Sequence, residues 1–176
     1  MGGRNLNSRV LNNLSDTRNN LLKEIKNLGN EQFNRKLGED IWSIAQVCQH
    51  IELVEKKSIQ AVGWALKSAS SSNQERKDIH LALDRTRKIR APKMVEPGEE
   101  PIEVQKMVET FDQTRGKLLS LLAAIEDPAV LATKAVEHPA FGNLPLDQWI
   151  ELIYLHEQRH IEQIKEIKSS LASATK

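Results

Sequence analysis

A single cysteine, Cys48, stands among 176 residues, so no disulfide can close within the chain and a reducing cytoplasm is the expected setting. Neither sign of charge dominates. The 25 Lys and Arg nearly cancel the 24 Asp and Glu, leaving a formal +1 and no general pull towards nucleic acid or a membrane surface. Aromatic residues make up only 4%, and none interleaves the one basic cluster, which argues against a surface for stacked bases. No apolar run reaches the ~20 residues that a bilayer-spanning helix needs, and the opening MGGRNLNSRV lacks the apolar stretch of a secretion signal. What is present is 39% hydrophobic residues in a chain long enough for one core, so residues 1–176 are read as one domain without nucleic-acid or membrane partners.

Four segments show helical periodicity, and none shows a convincing strand alternation. The first runs from about Leu6 to Leu28, with Leu11, Leu14, Leu21, Ile25 and Leu28 on one stripe, Arg18, Asn19 and Lys23 off it, and Gly29 as its stop. The second opens on Ser43 as N-cap with Gln46 as capping-box partner. Trp42 and Val47 are spaced for a hydrophobic staple. It continues to about Lys67 and ends in the serine-rich turn 68–73. The third starts near Pro101, carries Val104, Val108, Phe111, Leu118, Leu122 and Ile125, and ends at Asp127-Pro128. The fourth runs from near Pro145 to about Leu171. Four such helices predict an all-α four-helix bundle. The long connection, about residues 70–100, holds a possible short helix at Ile79–Arg87 and the basic cluster Arg85, Arg87, Lys88, Arg90 and Lys93. It would let the second and third helices pack in parallel.

The most informative stretch is HEQRH, His156 to His160. Two histidines four apart on a helix sit one turn above each other and point the same way. They interrupt the apolar stripe of Trp149, Ile153, Ile164 and Ile167, and His50 interrupts the stripe of Val47, Val54 and Ala61 in the second helix. A buried imidazole needs a partner. Three on two facing helices point to metal ligation by His50, His156 and His160, a facial set that leaves an open position. No carboxylate ligand offsets the ion, so an anion such as hydroxide or thiolate is wanted there. Imidazole suits zinc, nickel, copper and iron alike, and zinc or nickel is the expected divalent metal.

The string also reads as the HExxH of zinc proteases, in which Glu157 would be the general base. The extended protease pattern wants a glycine and a histidine where this chain has Gln163 and Glu166, and no histidine follows His160. Glu157 is retained as a weak base candidate against a plain reading as a surface acid. Cys48 reads as a packing residue, His80 as solvated, and His138 as ordering the HPAFGNLP loop before the last helix.

The segments WSIAQVCQHI (42–51), APK (91–93), HPAFGNLPLDQW (138–149) and HEQRHIEQI (156–164), in that order, resemble the DinB/YfiT-like superfamily, its DinB_2-type branch most closely. The resemblance covers essentially the whole chain. It implies a four-helix bundle of unusual connection order, a metal held by His50, His156 and His160, and a homodimer. Assigned activities in the superfamily imply metal-dependent transfer to low-molecular-weight thiols such as bacillithiol, mycothiol or glutathione. The leading expectation is therefore a thiol S-transferase acting on a small-molecule substrate. Hydrolysis by metal-bound hydroxide is the first alternative, and a non-catalytic, stress-related bundle with a structural metal the second.

Overall fold

Capping chemistry begins the helix that carries the first histidine. Ser43 Oγ accepts the Gln46 N–H and Gln46 Oε1 accepts the Ser43 N–H, both at 3.1 Å, so the expected reciprocal box forms. The structure, a computed structural model, describes residues 8–68, 71, 75–86 and 89–174. Its elements in chain order are α1 (Ser8–Ile25), α2 (Asn30–Asn34), α3 (Ile44–Ser68), α4 (Val104–Ala123), α5 (Val130–Thr133), β1 (Ala135–His138), β2 (Gly142–Pro145) and α6 (Leu146–Ser173). The long helices α1, α3, α4 and α6 are the four predicted ones. The expected start at Leu6, most of the serine-rich turn, and Arg87 and Lys88 lie outside the described residues.

Cross-helix contacts give the topology. On α3 and α4, Glu52 meets Thr114, Glu55 meets Arg115, and Gly63 lies against Leu121, so the two helices run parallel, as the long connection allows. On α1 and α6, Arg18 reaches Glu157 and Glu24 reaches Lys168, so these are parallel too. The two pairs oppose each other. Ile44 and Val47 share an apolar cluster with Ile164 and Ile167, whereas Val62 and Ala65 share one with Ile150 and Leu152.

The core divides at a polar layer. Arg18, Glu55, Arg115 and Glu157, one from each long helix, are at most 7% exposed and lie between the two apolar clusters. Arg18 therefore corrects the sequence reading, which set it off the stripe; it follows Leu14 by four and precedes Leu21 by three, so it falls in the buried seam. The seam of α3 is also one step round from the expected one. It runs through Ile44, Cys48, Ile51, Glu55, Ser58, Val62 and Ala65, while Val54 and Ala61 are only half-buried.

A β-hairpin departs from the prediction of helices alone. β1 and β2 pair antiparallel with Ala135 opposite Pro145 and His138 opposite Gly142, whose φ of 68° closes the turn. Four-residue strands are too short to register as an alternation. The possible helix at Ile79–Arg87 is instead a 3₁₀ turn, Ile79–Leu83, and a second such turn spans Lys93–Val95. The connection carrying both runs along α6 and then over α3. The Lys77 N–H donates to Gln148 Oε1 and the Lys77 carbonyl accepts from Gln148 Nε2, Arg159 donates to Ala82 O, and the Gly98 backbone bonds the side chains of Gln46 and Gln49. The connection's Val95 carbonyl reaches His50 on α3. Among the described residues no helix is long and apolar enough to cross a membrane.

Candidate metal centre

His50 comes from α3, and His156 and His160 from successive turns of α6. Their Nε2 atoms converge: His156 Nε2 is 3.1 Å from His50 Nε2 and 3.1 Å from His160 Nε2. The rings meet at steep angles, with centroids 4.4 to 5.0 Å apart, so nitrogens and not ring faces point inward. His50 and His160 are buried, and His156 is half-buried.

Neighbours set the tautomers of two rings. His50 Nδ1 lies 2.8 Å from the Val95 carbonyl, which can only accept, so the ring donates there and leaves its Nε2 lone pair facing inward. His160 Nδ1 does the same to Gln163 Oε1 at 2.7 Å. Trp42, the staple residue, tilts against the His50 ring at 5.1 Å and limits its swing. Such outer bonds orient the imidazoles in metal sites.

These nitrogens fit a cation. With Nε2 of His50 and His160 both unprotonated, a lone proton on His156 serves at best one good hydrogen bond, and lone pairs otherwise face one another. A tetrahedral ion bound at about 2.05 Å would hold its nitrogens about 3.3 Å apart; His156 Nε2 stands 3.1 Å from each of the other two, and one ring nitrogen from each histidine lies within 4.8 Å of the others. Neutrality is also secured. Burial, then His50, Arg159 and Arg85, bring His160 down to about 3, against the bond to Gln163. Burial, His160 and His50 hold His156 well below the ordinary 6.5, and burial lowers His50. All three rings are free bases at neutral pH, the form that binds metal. Among the described residues no carboxylate joins this set of ligand atoms.

Glu157 needs correcting on both sequence readings. It is 1% exposed and so no surface acid. Nor is it positioned as a base at the histidines. Arg18 Nε donates to its Oε1 at 2.7 Å, Thr17 Oγ1 to its Oε2 at 2.6 Å, and Arg115 Nη2 to its Oε2 at 3.2 Å. The carboxylate is turned into the polar layer, the side of α6 that 100° of helix rotation from His156 presents. Glu55 completes the layer, with Arg18 at 2.5 Å and Arg115 at 2.6 Å. Sequence reasoning missed Arg18, Glu55 and Arg115, although each stands where its seam expects an apolar residue.

His138 stacks edge-on against Trp149 at 4.5 Å and accepts the Ala140 N–H, and burial alone brings its pKa down to about 4. It orders the hairpin. His80 is exposed, and Cys48 is a fully buried packing residue whose thiol burial pushes up.

Comparison with known proteins names the group. The DinB superfamily matches residues 13–164. The chain belongs to the DinB superfamily. It is 31% identical over 151 residues to the uncharacterized protein YuaE of Bacillus subtilis strain 168, covering 86% of this chain and 92% of that one. Its fold is similar to that of TT2238, a four-helix bundle protein, with a TM-score of 0.59, 20% identity, and coverage of 90% of this chain and 98% of the other. It is also similar to YfiT from Bacillus subtilis, a probable metal-dependent hydrolase of unusual four-helix bundle topology. That match has a TM-score of 0.65, 14% identity and coverage of 94% and 87%.

Proposed function

We propose that this DinB superfamily member is a metal-dependent transferase that binds a divalent ion, zinc or nickel, through His50, His156 and His160 and transfers a small electrophile to a low-molecular-weight thiol. The observation that carries the metal reading is the convergence of three neutral Nε2 atoms, two with tautomers fixed by Val95 and Gln163. When bound, the ion supplies the charge that holds a coordinated thiol or water in its deprotonated form.

The residues do the rest. Three neutral rings leave the positive charge uncompensated, and Arg85 and Arg159 add to the positive field at His160. An anionic co-ligand is therefore favoured, and a thiolate suits a site whose ligand set holds no carboxylate among the described residues, Glu157 between the two histidines being held by two arginines. The half-buried edge of His156 offers the way in for substrate and the way out for the released proton. His50 and His160 keep water from the far side by burial. Incubating metal-loaded protein with a chromogenic electrophile and a panel of thiols tests this. Metal-dependent conjugation with one thiol, lost in His160→Ala, is expected; none with any thiol ends the transferase reading. The name of YfiT favours a second reading, hydrolysis at the same three histidines. A thiol-independent rate rising through a pKa near neutrality would support it.

A further inference from the structure

Four charges buried at the level of a candidate metal centre demand a reason, because stability does not supply one. Replacing a buried ion-pair cluster with apolar residues of similar volume is often neutral or stabilising. The seams that contain Arg18, Glu55, Arg115 and Glu157 are otherwise largely apolar, and these four positions could have been completed with leucine.

What the cluster provides is direction. Apolar contacts tolerate sliding and rotation, whereas guanidinium forks fix angles. Arg18 donates through Nε to Glu157, through Nη2 to Glu55, and through Nη1 to the Phe111 carbonyl at 2.7 Å. Arg115 donates through Nε to Glu55, through Nη2 to both carboxylates, and through Nη1 to the Leu14 carbonyl. Thr17 closes the last position on Glu157. α1 and α4 are thus each bonded to all three other long helices, and α3 and α6 are joined through the two arginines, by bonds that depend on helix rotation.

Two of the tied residues adjoin the histidines. Glu157 follows His156 directly and precedes His160 by three, and Glu55 follows His50 by five. At 1.5 Å of rise per residue these anchors lie about 1.5, 4.5 and 7.5 Å along the axes from the ligands they adjoin. Rotating either helix by about 20° would swing a ring nitrogen some 6 Å off axis by about 2 Å. Metal sites tolerate about 0.2 Å.

We propose that the Arg18–Glu55–Arg115–Glu157 layer is a positioning device: it sets the rotation of α3 and α6 and so holds the three imidazoles at ligating distance. This rests on the metal reading above, and its test separates the two. The full-length quadruple variant Arg18→Met, Glu55→Leu, Arg115→Met, Glu157→Leu is compared with wild type in three ways. These are cobalt(II) affinity, the cobalt d–d spectrum, and inter-ring nuclear Overhauser contacts among the labelled histidines of metal-free protein. Leu118→Ala, a core change on a helix without ligands, controls for lost stability alone.

The quadruple variant should keep its helical content, lose about 10- to 100-fold in cobalt affinity, shift the d–d bands and lose the inter-ring contacts. Leu118→Ala should leave spectrum and contacts unchanged. A folded quadruple variant with wild-type affinity, spectrum and contacts overturns the proposal. If the quadruple variant does not fold, Glu157→Gln, which keeps the side-chain shape, decides by the same readouts: altered bands or lost contacts support positioning, and an unchanged profile refutes it. If wild type binds no cobalt, the metal reading fails. The ring contacts then decide alone: their loss supports the layer's role and their survival overturns it.

Discussion

Truncating Glu157 to Ala separates a structural acid from a catalytic base. The change removes the acceptor of Arg18 Nε at 2.7 Å, of Thr17 Oγ1 at 2.6 Å and of Arg115 Nη2 at 3.2 Å. At 1% exposure, water does not replace it, and two guanidiniums are left facing the single carboxylate of Glu55. Removing one member of a buried charge network costs about 3–5 kcal/mol. At roughly 2–4 °C per kcal/mol for a domain of this size, the melting midpoint should fall by roughly 6–20 °C. Urea and thermal unfolding followed by circular dichroism measure it. Adding Arg115→Met to Glu157→Ala restores the charge balance as the Arg18–Glu55 pair, so the double variant should regain a large part of the loss. A penalty below about 1 kcal/mol, the range of an exposed acid, would refute the reasoning, as would a double variant no better than the single. A base at the reaction centre predicts the opposite pattern, with activity lost and the unfolding midpoint kept.

Three further outcomes are expected. His160→Ala should abolish tight binding of zinc or nickel while leaving helical content nearly intact; metal stoichiometry that survives the change, measured by elemental analysis, would remove His160 from the ligand set. Acid should weaken the metal-free fold. The unfolded histidines take protons near 6.5, whereas folded His160 waits until about 3 and His138 until about 4, with His50 and His156 also lowered. Falling pH therefore favours the unfolded state, by up to about 1.4 kcal/mol per pH unit for each histidine that stays neutral. Urea midpoints that do not move between pH 6 and 5 would contradict this. His138→Phe keeps the aromatic contact with Trp149 and should leave metal affinity within about twofold and stability at pH 7 within about 1 kcal/mol; a tenfold loss of affinity would move His138 into the centre.

Long-range periodicity made much of this molecule legible. Eighteen to 28 residues of apolar recurrence outweigh any one misplaced side chain, so the four long helices, the Ser43–Gln46 cap and the interrupting histidines could all be read from spacing. The length of the connection allows the parallel run of α3 and α4, which the cross-helix contacts show. Short elements gave no such repeat: α2, α5 and the hairpin hold four or five residues each. The polar layer escaped for a different reason. A charge at a seam position looks like an error in the stripe until its partners are known, and they lie 37 to 139 residues away. The sequence reading sets Arg18 off its stripe, although its spacing from Leu14 and Leu21 places it in the buried seam. Four charges at seam positions, two of each sign and one per helix, were the available signal.

The string His-Glu-x-x-His acquires its meaning from what surrounds each letter. In a zinc protease the glutamate activates water beside the metal. Here the two histidines meet a third from α3, while the glutamate between them is drawn 100° round the helix to two buried arginines. One turn of α6 thus serves two constellations, one of paired charges and one of neutral rings. The polar layer balances two positive and two negative charges and lends no negative charge to its neighbour. The trio of rings is neutral, and Arg85 and Arg159 lie on its positive side. A dication there can be balanced only by what it recruits from solution. On the proposed metal reading that recruit is an anion, and the assays above distinguish a thiolate from a hydroxide.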